Sequence, residues 1–166
     1  YIVVFFFFFV GIIPILYLFY GVNEGFLELK TPTTLHNNFW WFFLYTHAFS
    51  GGLAILIGWL QFNKTLLIKY KKWHRNIGML YVLSALIASI SGFYIAFYAT
   101  GGIISIIAFV MIAVLYFFTT YVGFILAKKR DFKRHQNFMT YSYAICLAAV
   151  SLRLMTTISQ ILGFDY

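Results

Sequence analysis

Residues 102–127 contain no charged side chain, and the chain makes four more runs of this kind, at about residues 1–20, 39–62, 76–99 and 137–162, the last interrupted only by Arg153. A hydrocarbon core about 30 Å thick is crossed by a helix of roughly 20 apolar residues. Lipid offers no water to an open backbone, so a run of that length must close its own hydrogen bonds as a helix. The sequence therefore predicts an all-α, polytopic membrane protein with five transmembrane helices: a four-helix bundle plus a peripheral N-terminal helix. With 63% of residues hydrophobic and 10% charged over 166 positions, nothing remains for a separate soluble unit, and residues 1–166 are expected to form a single transmembrane domain.

The net charge of +8 is topological in its placement. Ten of the twelve basic residues fall in two connections, Lys64, Lys69, Lys71, Lys72 and Arg75 before the third span, and Lys128, Lys129, Arg130, Lys133 and Arg134 before the fifth. Glu24, Glu28 and Lys30 occupy the connection between the first two spans, and the connection "YATGG" is uncharged. The positive-inside rule then puts both basic loops and the N-terminus in the cytoplasm and the C-terminus outside, in a multi-pass protein of the membrane. Basic residues concentrated at span ends speak for topology and against nucleic acid; the expected partners are the lipid bilayer and other membrane subunits. The first span lacks a basic leader and a small-residue cleavage site, so it is expected to be a retained helix, bent at Pro14. Cys146 is the one cysteine, which rules out an intrachain disulfide and two-cysteine metal motifs. His36, in the polar segment before the belt "FWWFF", is expected to be a solvent-exposed loop residue.

Positions three and four apart share a helix face. Three spans carry a stripe of small and polar residues led by a histidine: His47, Gly51, Ala54, Gly58 and Gln61; His74, Gly78, Tyr81, Ala85, Ala88 and Gly92; His135, Met139, Ser142, Cys146, Ala149 and Arg153. Small residues permit close helix approach in lipid, so these stripes are expected to meet in the bundle interior. With a rise of about 1.5 Å per residue, they define two polar layers. One, at the cytoplasmic entrance of two helices, joins His74 and His135 with Arg75 and Arg134. The other pairs His47 with Arg153, with Ser89, Ser91, Thr156 and Thr157 as candidate neighbours. An arginine inside a span needs an acceptor or a wet cavity. None of the acids, Glu24, Glu28, Asp131 and Asp165, lies inside a span. Tyr81, Tyr141 and Tyr143 are expected to be packing or interface residues rather than to carry redox chemistry.

The pieces "HAFSGGLAILIGWLQF" (residues 47–62), "HRNIGMLY" (residues 74–81) and "HQNFMTYSYAICLAAVSLRL" (residues 135–154), in this order and spacing, resemble a bacterial integral-membrane family known as domain of unknown function 2306. The resemblance covers spans two to five. It implies a location in the bacterial inner membrane and a recurrent residue set: His47, Gly51, Gly58, Gln61, His74, Arg75, Gly78, Tyr81, His135, Met139 and Arg153. Where that pattern has Arg-Arg-Trp-Met after its last histidine, this chain has Gln136, Asn137, Phe138 and Met139. A looser likeness is to histidine-bearing four-helix bundles of the cytochrome b561 type.

Three function classes follow, and none fixes a reaction. The first is an accessory or binding subunit whose interior, at His47, Arg153, His74, Arg75, Tyr81, Arg134 and His135, holds a lipid headgroup, quinone or partner segment. The second is a haem-binding or quinone-linked redox protein, with His74 and His135 as the axial ligands of a haem b iron. The third is a small transporter or membrane enzyme using histidines for protons or metal.

Overall fold

A computed structural model describes Leu27 and residues 30–161, apart from the side chains at 149, 153, 154 and 156–161. The expected first span, with Pro14, Glu24 and Glu28, lies outside the described residues. The chain is helical throughout this region, and no strand occurs among the described residues.

The first turn, α1 (Pro32–Leu35), starts where Thr31 caps it, its hydroxyl accepting from the Thr34 N–H at 3.4 Å, with Pro32 pre-set for the first helical position. His36 closes it in an exposed position, its Nδ1–H donating to the Pro32 carbonyl at 2.7 Å. Asn37 then caps α2 (Asn38–Gly58), its side-chain oxygen accepting from the N–H groups of Phe39 and Trp40 at 3.0 and 3.3 Å. A 3-10 turn (Trp59–Phe62) ends this helix, and Asn63 caps the short α3 (Lys64–Lys69) in the same way. Tyr70, at φ −121° and ψ 53°, separates α3 from α4 (Lys71–Ala96). Gly101, at φ 104°, takes a left-handed backbone conformation just before α5 (Gly102–Lys128).

The turn from α5 into α6 (Phe132–Ile161) is tight. The Asp131 N–H donates to the Leu126 carbonyl at 3.0 Å and the Arg130 N–H to the Ala127 carbonyl at 3.1 Å, which is the Schellman pattern. It puts Arg130 at φ 61°, a left-handed site where glycine is the usual occupant. Asp131 then caps α6 by accepting from the Arg134 N–H at 3.2 Å.

Three described segments, Asn38–Phe62, Lys71–Ala96 and Gly102–Lys128, are long and apolar enough to cross a membrane, and α6 follows as a 30-residue helix. Two helices begin earlier than their apolar runs. Lys and Arg are good helix formers, so α4 and α6 extend into their basic entrances, and His74 and His135 each become the fourth residue of a helix.

Packing runs α2 against α4, α4 against α5 and α5 against α6, with a much sparser seam between α6 and α2. Helices α4 and α6 therefore face each other across the bundle diagonal. Ala54, Tyr81, Ala85 and Ala88 are almost wholly enclosed, whereas Ile103, Ile104 and Phe118 of α5 point outward. That distribution is apolar outside and small or polar inside, as a bundle in lipid requires. The connectivity brings both basic loops to one end.

Candidate functional site

At the basic end, His135 and His74 lie close enough for their positive forms to repel each other. His135 donates from Nδ1 to the Gly123 carbonyl of α5 at 2.8 Å. A carbonyl can only accept, so the Nδ1 proton is fixed, and in the neutral ring the lone pair resides on Nε2. Met139, one turn further along α6, packs on the same residue, because a Cβ built on Gly123 would stand 2.6 Å from its Sδ.

His74 is held differently. With the Gln61 amide oriented to satisfy its surroundings, its N–H donates to the His74 carbonyl at 3.2 Å and to His74 Nδ1 at 3.3 Å, while its oxygen accepts from the Gly78 N–H at 3.2 Å. His74 Nδ1 is then an acceptor, which moves its proton to Nε2. The two basic-end histidines thus carry opposite tautomers: Nε2 of His74 donates and Nε2 of His135 accepts. Gly78 makes this approach feasible, since a Cβ there would lie 2.9 Å from the end of the Gln61 side-chain amide. Arg75 and Arg134 are exposed beside the pair, the latter 4.0 Å from Asp131.

About 10 Å further along α4 lies a layer that the stripes alone did not define. The Tyr81 hydroxyl is 2.8 Å from the Ser142 hydroxyl, which is 2.7 Å from that of Thr120, which donates in turn to the Tyr116 carbonyl at 2.7 Å. Ser142 and Thr120 are wholly buried, so this chain ties α4, α6 and α5 together in the dry centre. The Tyr116 hydroxyl lies against Tyr81 and the Cys146 thiol and makes no well-formed hydrogen bond. Tyr143 spans the sparse seam, its hydroxyl donating to the Ile55 carbonyl of α2 at 3.3 Å. Of the three tyrosines expected to pack or to sit at an interface, Tyr81 and Tyr143 are buried and Tyr141 is exposed. Sequence reasoning singled out Tyr81 and missed Thr120 and Tyr116. The available signal was their spacing with Gly123 on one face of the fourth run.

Another roughly 10 Å along α4 is the outer layer. His47 donates from Nδ1 to the Ala88 carbonyl at 2.8 Å and lies over Gly92, where a Cβ would be 3.0 Å from its ring. Ser91 shares the same carbonyl at 3.2 Å, whereas Ser89 turns to the Leu86 carbonyl. Arg153 is within α6, with Thr156 and Thr157, but these side chains lie outside the described ones. His47 is roughly 20 Å from the basic-end pair along α4, so the structure gathers two histidines and keeps the third apart. Among the described residues no group of three or more His, Cys, Asp or Glu side chains is placed to hold a metal ion.

The family model described as a predicted membrane protein (DUF2306) matches residues 44–166. The chain belongs to that family, and it is an integral membrane protein. No curated protein and no solved structure matches it.

Proposed function

We propose that this member of the family is a binding or accessory subunit of the membrane whose basic-end layer holds a ligand with neighbouring acceptor and donor groups, such as a lipid headgroup or a quinone, or a segment of a partner subunit. One observation carries the proposal: at the basic end, the contacts of His74 with Gln61 and of His135 with the Gly123 carbonyl leave Nε2 of His74 as a donor and Nε2 of His135 as an acceptor. Arg75 and Arg134 supply the charge that draws a phosphate or carboxylate to that place, and Tyr81 closes the layer from the bundle centre. In the same reading His47 and Arg153 form a second polar layer on the far side. The chain crosses the bacterial inner membrane five times as one domain, its basic end and N-terminus in the cytoplasm and its C-terminus outside.

The test is mass spectrometry of the protein released from gentle detergent. A lipid or quinone retained by the wild type and lost in both His74→Ala and His135→Ala is the expected result. Equal retention in all three would refute the proposal.

Haem b is the second reading, and His135 favours it: a proton fixed on Nδ1 by a carbonyl leaves Nε2 as a well-oriented iron ligand. His74 does not fit in the same state, because the Gln61 contact puts a proton on its Nε2. Bis-histidine ligation requires Gln61 to turn. A reduced-minus-oxidised spectrum without a Soret change removes this reading.

A further inference from the structure

The segment "KTLLIKYKKW", residues 64–73, has little to bury against its own chain. Within α3, Lys64, Leu67 and Ile68 share one face by their i, i+3, i+4 spacing. Leu67 is 49% exposed and Ile68 67%, while Leu66 alone turns toward the bundle as a half-buried residue. Tyr70 and Trp73, at 56% and 63% exposed, continue the apolar surface into the start of α4. A helix that puts lysine and aliphatic side chains on the same outward face suits neither water nor hydrocarbon. It suits the boundary between them, where lysine stems lie on apolar surface and their heads reach outward.

The segment is also at that boundary by connectivity, since it joins two membrane-crossing helices directly. Among the described residues, no carboxylate lies within ion-pair distance of Lys64, Lys69, Lys71 or Lys72. The second basic loop, at the same end, repeats the combination: Phe132, 65% exposed, stands among Lys129, Arg130 and Lys133.

We propose that residues 64–73 form a binding surface for anionic phospholipids, with Leu67, Ile68, Tyr70 and Trp73 seated among the acyl chains nearest the headgroups and the four lysines on the phosphates. Uncharged apolar contacts alone would not distinguish lipids by charge. The lysines do, each being worth roughly a fivefold preference for an anionic surface. The surface is separate from the His74–His135 layer and does not depend on what fills it.

The experiment uses the full chain in nanodiscs that contain either phosphatidylglycerol or phosphatidylcholine brominated near the headgroup, at equal mole fraction. With Trp40, Trp41 and Trp59 replaced by Phe, Trp73 reports which lipid is adjacent. Brominated phosphatidylglycerol should quench it the more strongly, and Lys64→Gln, Lys69→Gln, Lys71→Gln and Lys72→Gln combined should reduce the preference by about tenfold or more. For the chain with all its tryptophans, retention of phosphatidylglycerol over phosphatidylcholine by native mass spectrometry should fall in the same four-lysine variant. Equal quenching by both lipids overturns the proposal. So does a preference unaffected by the lysine changes, its abolition by inorganic phosphate, or its loss in His74→Ala with the lysines intact.

Discussion

Replacing Gly58 by Ala tests the packing of the bundle more sharply than any change at its polar groups. A Cβ at Gly58 would stand 2.4 and 2.6 Å from two ring carbons of Tyr143 and 2.9 Å from Cε2 of Tyr81. Both rings are buried, and both are tied at their hydroxyls, Tyr143 to the Ile55 carbonyl and Tyr81 to Ser142. Neither gives way without opening a hydrogen bond in the dry interior. Gly51 lies two turns earlier on the same helix, and a Cβ there meets only the Ala88 Cβ at 3.9 Å, an ordinary contact. Gly→Ala in a helix gains about 1 kcal/mol of intrinsic propensity at either place, so that contribution cancels in the comparison. What remains at Gly58 is overpacking, about 2–3 kcal/mol at the upper end of the usual range. For a chain of this length, each kcal/mol moves the melting midpoint by about 2–4 °C. Gly58→Ala should therefore melt about 4–12 °C below Gly51→Ala in thermal unfolding followed by circular dichroism in one detergent. Midpoints within about 1 °C of each other would refute the reasoning.

Ser142→Ala leaves two buried hydroxyls, those of Tyr81 and Thr120, without their shared partner, and should destabilise by about 1–3 kcal/mol. Combining it with Thr120→Val should cost less than the sum of the two single changes in a double-mutant cycle; strict additivity would mean that the hydroxyl chain is not a unit. Arg130→Gly relieves a left-handed backbone cost of about 1–2 kcal/mol, less the conformational entropy of glycine, so a net gain of about 0.5–1 kcal/mol is expected and a lower midpoint would contradict it. Gln61→Leu removes the group that fixes the His74 tautomer, and nitrogen NMR of labelled histidine should show its Nε2–H signal giving way to a mixture while that of His135 stays unchanged. An unaltered His74 signal would show that Gln61 does not set the proton's position.

The interior faces were legible because lipid imposes a simple rule: small and polar side chains must face the bundle and bulky apolar ones the acyl chains. Ala54, Tyr81, Ala85, Ala88, Ser142 and Cys146 all came out of the three-and-four spacing, and all are buried. The fourth run gave no stripe, and the reason is local. Thr119 and Thr120 satisfy their hydroxyls on the carbonyls of Leu115 and Tyr116, one turn back on their own helix, so in sequence they look as neutral as alanine. Only the structure shows that Thr120 also reaches Ser142.

The histidines had a different blind spot. Their faces and depths followed from spacing, but the partners of His47 and His135 are backbone carbonyls, at Ala88 and Gly123, and every residue carries a carbonyl. Sequence cannot say which one a helix will bring within reach. That choice is made by the glycines, which remove a Cβ where a side chain from the facing helix must arrive: Gly92 under His47, Gly78 under Gln61 and Gly123 under Met139. The histidine stripes mark where polar groups enter the bundle, and the glycines opposite them leave the room in which side chains of the facing helix reach their partners.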